Sequence, residues 1–106
     1  MAKSMYQITL DYNNAVTQAE NLEQVAKNIE KMINNEFSPC MNDISRNWTG
    51  DNANAYIAKG NKLKNEMQNS ADELRKAAKT IRQIAGNTYR AEKAAYDVAK
   101  KRSYNK

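Results

Sequence analysis

From Ala15 to Trp48 the apolar side chains recur every three or four residues: Ala15, Ala19, Leu22, Ala26, Ile29, Ile33, Phe37, Cys40, Ile44 and Trp48. Positions three and four apart share one face of an α-helix, so this row predicts a single long helix. Val16, Val25, Met32 and Met41 widen the row, while Gln18, Glu23, Lys27 and Glu30 lie mostly off it. Glu23 and Lys27 also form a favourable i,i+4 pair. After Gly50 the pattern resumes through Tyr56, Gly60, Leu63, Met67, Ala71, Leu74, Ala78, Ile81, Ala85, Thr88, Ala95 and Val98. Strands would need frequent turns and β-branched alternation, and the chain offers only one proline and three glycines as punctuation. The expected fold is all-α.

The expected boundaries are a first helix over about 10–47, a turn at 48–50, a second helix over about 51–86 and a helical or frayed tail over 87–106. Pro39 lacks an amide donor and clashes with the carbonyl four residues back. The row crosses it in phase, from Ile33 through Phe37 to Cys40 and Ile44, which predicts a kinked helix rather than a break. Asp51 is the expected N-cap of the second helix. Gly60 lies on the apolar row, where a missing side chain admits a close neighbour. Gly86 is expected to end or loosen the second helix. A short connection between two long helices makes them antiparallel neighbours, so the architecture expected is an antiparallel two-helix hairpin.

Composition narrows what such a hairpin can do. The chain has 106 residues, 27% of them charged, and a mean hydropathy of −0.94, so one small domain with limited apolar surface is expected. Residues 1–50 hold four basic and six acidic side chains, and residues 51–106 hold thirteen and six. An acidic first helix beside a basic second one gains modestly. Doublets such as Val25-Ala26, Met32-Ile33, Ala77-Ala78 and Ile84-Ala85 make both apolar faces wider than one helix pair needs. Surplus apolar surface of this kind marks a partner site, and two hairpins packed face to face form a four-helix bundle dimer. The residues expected at the hairpin and partner interface are Leu22, Val25, Ile29, Ile33, Phe37 and Ile44 in the first half. In the second half they are Tyr56, Leu63, Leu74, Ile81 and Ile84.

Catalytic chemistry finds no footing in the sequence. There is no histidine, which removes the commonest general base and metal ligand. Cys40 stands alone and is expected to be a small buried apolar residue. Asp72, Glu73 and Asp97 are isolated acids, and Ser38 and Ser45 have no base at hand. No catalytic, cofactor-binding or metal site is expected. A pI of 9.4 raises nucleic-acid binding as a reading from another class. The basic residues are interleaved with Asp72, Glu73 and Glu92, however, so no nucleic-acid partner is expected. No apolar run approaches the roughly 20 residues of a membrane span, nor does the start resemble a signal peptide. Stable membrane insertion is not expected, and any export would use no cleavable leader.

Near the midpoint stands Trp48-Thr49-Gly50. Trp48 continues the row from Ile44, which makes it the expected plug of the core's end beside Tyr56 and Ile57. Gly50 would supply a positive φ at the reversal. A central Trp-x-Gly between two helical halves, in a chain of this length, resembles the WXG family, the ESAT-like small proteins of type VII secretion. The resemblance covers essentially the whole chain. It implies a hairpin that dimerises into a four-helix bundle, no enzymatic activity, and leaderless export from the bacterial cytoplasm to the cell surface or medium. It also implies recognition by the type VII secretion ATPase, often through a Tyr-x-x-x-Asp/Glu motif just after the second helix. This chain departs from that motif: Tyr89 is followed four residues later by Lys93, and Glu92 falls one short. The gap points to a heterodimer whose other member carries the signal, either a second WXG protein or the helical N-terminal domain of an LXG toxin. A homodimer is the alternative.

Overall fold

The computed structural model describes residues 3–104, with side chains up to Arg102; residues 105 and 106 of the expected tail lie outside the described residues. Helix α1 spans Met5–Met32, a π-helical turn spans Ile33–Phe37, α2 spans Ser38–Asn47 and α3 spans Asp51–Tyr104. No strand occurs among the described residues. The protein is all-helical. The first helix begins at Met5 rather than near residue 10, because Ser4 caps it: the Ser4 Oγ accepts from the Gln7 amide at 3.1 Å. Gly86 neither ends nor interrupts α3, which continues to Tyr104.

Two compact units divide the chain. One, the turn unit, is Leu22–Lys76; the other, the terminal unit, combines Met1–Asn21 with Ala77–Lys106. In the turn unit, late residues of the first half meet early residues of the second. Trp48 meets Tyr56, Met41 faces Gly60, and Glu30 reaches Arg75. In the terminal unit Tyr12 meets Tyr89 and Lys3 reaches Glu92.

Pro39 is accommodated without a loop. The Ser38 amide donates to the Ile33 carbonyl, five residues back, so the turn is one residue wider than an α-turn. A wide turn relieves the clash that proline would make in a regular helix. The extra residue also shifts the phase of the apolar row. Buried Ala19, Ala26 and Ile33 are spaced by seven, but the next buried residue is Met41, eight further on. Cys40, expected inside, is therefore exposed. The physical cause is the π-turn, which rotates position 40 outward and position 41 inward.

Gly60 receives the side chain that the phase shift delivers. A Cβ built at Gly60 would lie 2.6 Å from Met41 Sδ and closer still to its Cε. The close neighbour expected there is thus a methionine tip. On α3 the inward row runs Ala53, Ile57, Gly60, Met67, Ala71, Leu74 and Ala78, with Ala53, Ala71 and Ala78 fully buried. Tyr56 and Leu63, assigned to that row from sequence, lie beside it and are exposed.

One polar clamp joins the two halves of the turn unit. Arg75 grips both carboxylate oxygens of Glu30, with Nη1 to Oε2 at 2.6 Å and Nη2 to Oε1. Gln68 Nε2 adds a third bond to Oε2 at 2.9 Å. A forked guanidinium on a carboxylate is the geometry that most favours the ionised form. These donors, Arg75 first, hold the Glu30 pKa at about 2, against an ordinary 4.5.

Two outcomes are expected. Gly60→Leu overpacks the Met41 contact and lowers stability by about 1–3 kcal/mol. In a double-mutant cycle with Met41→Ala, urea unfolding then gives a non-additive coupling; additive effects would show that the two positions do not touch. The clamp's contribution is present above about pH 4.5 and lost as pH falls towards the folded pKa of about 2. Between pH 6 and pH 3 the urea midpoint of Glu30→Gln therefore falls less than that of the unaltered chain.

Candidate functional site

The reversal at 48–50 rests on two backbone settings, at Trp48 and at Gly50. Trp48 is extended, at φ −134° and ψ 124°, and its amide closes α2 on the Ile44 carbonyl at 2.9 Å. Gly50 has φ +110°, in the region that L side chains avoid. Its carbonyl accepts from the Asn54 amide at 3.0 Å, which makes Gly50 the N-cap of α3. Asp51, expected as the cap, instead occupies the first turn, where its charge still suits the helix N-terminus. A Cβ at Gly50 would meet nothing within 4 Å, so the requirement for glycine here is conformational.

Trp48 is not a buried plug. The extended conformation swings it away from the α2 row, leaving it 46% exposed. Its indole rests on the Tyr56 ring, with centroids 5.9 Å apart, and Tyr56 is itself exposed. Thr49 is exposed as well. The turn therefore carries an uncovered aromatic pair, next to a shallow apolar groove of about 220 Å³ lined by Phe37, Met41, Tyr56, Lys59, Gly60 and Leu63.

The residues expected at the interface separate into two groups. Ile33 is buried, and Leu22, Ile29, Phe37, Ile44, Leu74 and Ile81 are half-buried within the chain. Val25, Tyr56, Leu63 and Ile84 remain outside. Ile84 is 59% exposed and lines a second groove, of about 260 Å³, within the terminal unit. Ile8, Tyr12 and Ala15 form its other wall, and Thr88 and Tyr89 extend it. Beside it Thr80, Ile84, Thr88, Ala91, Ala95 and Val98 recur at helical steps, all exposed and none charged. Ile8 and Tyr12 had a legible signal: they continue the row upstream from Ala15 at steps of four and three.

At the groove's rim Lys3 Nζ bridges Asp11 Oδ2 at 3.0 Å and Glu92 Oε1 at 3.2 Å. Lys3, followed by Gln7, holds the Asp11 carboxyl below its ordinary range. Both carboxylates raise the Lys3 pKa in return. The three residues expected to form a degenerate export signal fall here, inside α3 and not beyond its end. Tyr89 packs on Tyr12 with ring centroids 5.2 Å apart, Glu92 is half-buried against Lys3, and Lys93 is exposed.

The arrangement supplies apolar packing surfaces and ion pairs. Among the described residues no group of His, Cys, Asp and Glu is placed to hold a metal ion. Among the described residues no helix is long and apolar enough to cross a membrane.

Half-exposure sets the expected effect of removing the indole. Trp48→Ala lowers stability by about 1–2 kcal/mol, chiefly through the lost aromatic pair, rather than the 3–5 kcal/mol of a fully buried ring. Thermal unfolding checks the magnitude, and Trp48 fluorescence emission near that of a solvated indole checks the exposure.

Comparison with known proteins finds no match among protein-family models, curated proteins or solved structures.

Proposed function

We propose that this is a non-enzymatic helical hairpin protein whose work is helix-on-helix pairing, exported by a type VII secretion system as an effector or as a partner and adaptor for another exported protein. One observation carries the pairing: the fully buried positions are mostly alanine, whereas Val25, Met32, Trp48, Tyr56, Leu63, Ile84 and Val98 stay exposed. Their burial is the largest favourable free energy the chain has left to gain. A second hairpin laid on these side chains completes a four-helix bundle. The uncharged row through Ile84 and Thr88 favours such a contact, because no charge on it has to be desolvated.

The secretion reading rests on Trp48-Thr49-Gly50 standing at the reversal between two helical halves, as in the WXG family that the sequence resembles. Neither Tyr89 nor Tyr96 has an acid four residues on, and Tyr89 is engaged with Tyr12. An export signal supplied by a different partner follows from that, and a homodimer is the less favoured form. The narrower version makes the chain an accessory that binds the helical N-terminal domain of an LXG toxin and brings it to the secretion ATPase.

Expression of the native operon tests the pairing and the export together. The chain should co-purify at fixed stoichiometry with a helical protein of the same operon, identified by mass spectrometry. Both should leave the medium when the secretion ATPase is deleted. Ile84→Glu should break the complex while leaving the helical circular dichroism of the isolated chain unchanged. A chain that remains a monomer at micromolar concentration with every product of its operon would overturn the proposal.

A further inference from the structure

The groove of the terminal unit is apolar along its length and acidic at one end. Two helices wall it: Ile8 on α1 is 2% exposed, while Ile84 on α3 is 59% exposed, so the groove, of about 260 Å³, is deep on one side and open on the other. Asp11 and Glu92 complete the lining, and Lys3 Nζ bridges them at 3.0 and 3.2 Å. One ammonium serves two carboxylates, so a negative charge remains among these three groups.

The two carboxylates are not equally satisfied. Asp11 accepts on both oxygens, from Lys3 on Oδ2 and from Gln7 Nε2 on Oδ1 at 2.7 Å. Glu92 accepts from Lys3 on Oε1, but its Oε2 is buried and has no hydrogen-bond partner. A covered carboxylate oxygen without a donor is costly, and the terminal torsion of a glutamate is soft. A small rotation of the carboxylate therefore offers that oxygen to a donor arriving in the groove. Thr88, Ala91 and Ala95, exposed on α3 to either side of Glu92, are small enough to let a second helix come close. The terminal unit as a whole carries nine basic and four acidic residues, so a generally basic helix would be repelled there. A neutral or acidic helix with one cation placed at Glu92 would not.

We propose, building on the helix-pairing reading, that this groove takes a helix of the partner protein that inserts an apolar side chain between Tyr12 and Ile84 and sets a basic side chain against Glu92. Ile84 and Glu92 are eight residues apart, about 12 Å along α3, so the two anchors stand about two turns apart on the partner as well. The apolar anchor supplies buried area. The basic one selects the partner and fixes its register, because a helix without it leaves Glu92 covered and unpaired.

The test uses two synthetic amphipathic helices of about 20 residues. They differ in one residue two turns from the central leucine, which is arginine in one and citrulline, its uncharged isostere, in the other. Each is titrated into the full chain and followed by amide chemical shifts. Shifts should centre on Ile8, Tyr12, Ile84 and Thr88, and the arginine helix should bind about tenfold tighter, within the span of charge-pair couplings at interfaces. Glu92→Gln should erase that preference and leave the citrulline helix bound as before. Lys3→Ala removes the internal competitor for Glu92 and should widen the preference, which a merely structural Lys3 would not do. Circular dichroism of both variants should match the unaltered chain, since exposed ion pairs contribute little to stability. Equal binding of the two helices, a preference that persists in Glu92→Gln, or binding of neither would overturn the proposal. Protection of the same amides by self-association of the chain alone would give the groove to a second copy and overturn it too. The helix-pairing reading is judged on the operon complex, and does not fall with any of these results.

Discussion

The structure depends on alanine at the places where helices touch. Ala19, Ala26, Ala53, Ala71 and Ala78 are fully buried, and the larger side chains buried beside them among the described residues are Ile8, Ile33 and Met41. A methyl group allows close approach of helix backbones but removes little apolar area from water. Contact is therefore close and weakly stabilising. Most of the larger side chains are displaced to the flanks of the contact row, where they are half-covered or bare. Polar clamps supplement the row, as where Arg75 and Gln68 grip Glu30, but such exposed ion pairs contribute little individually.

That constraint explains why the chain's features lie on its outside. At the turn, Gly50 reverses the chain and Trp48 and Tyr56 are left as an uncovered aromatic pair. Along the terminal unit α3 presents two chemistries. One row, through Ile84 and Thr88, is uncharged; another, centred on Gly86, is lined with lysine and arginine. The first suits an apolar helix, because no charge on it has to be desolvated.

Much of this architecture was legible in the sequence. The three-and-four spacing gave two helical halves, and Trp48-Thr49-Gly50 marked the reversal, with Gly50 read as the residue of positive φ. Gly60 was read as a point of close approach. The failures share a physical cause: small local changes of backbone geometry rotate side chains by large angles. One extra residue in the Ile33–Phe37 turn moved Met41 into the core and Cys40 out of it. An extended backbone at Trp48 swung the indole from an expected plug to an exposed ring. Spacing cannot distinguish an α-turn from a π-turn around Pro39, because both leave apolar residues three or four apart on either side. Tyr56 and Leu63 were misplaced for a different reason. Hydrophobicity favoured them over Ala53, but the contact row selects small side chains.

Surface left uncovered is the common thread from the alanine row to the proposed partner. The most direct measurement is the urea-unfolding free energy of the isolated chain, held at a concentration where sedimentation shows it monomeric. An alanine-lined contact row with its larger apolar residues outside predicts less than about 5 kcal/mol, the lower edge of ordinary domain stability. A monomer that holds more than that on its own would contradict the account, since its core would already be complete.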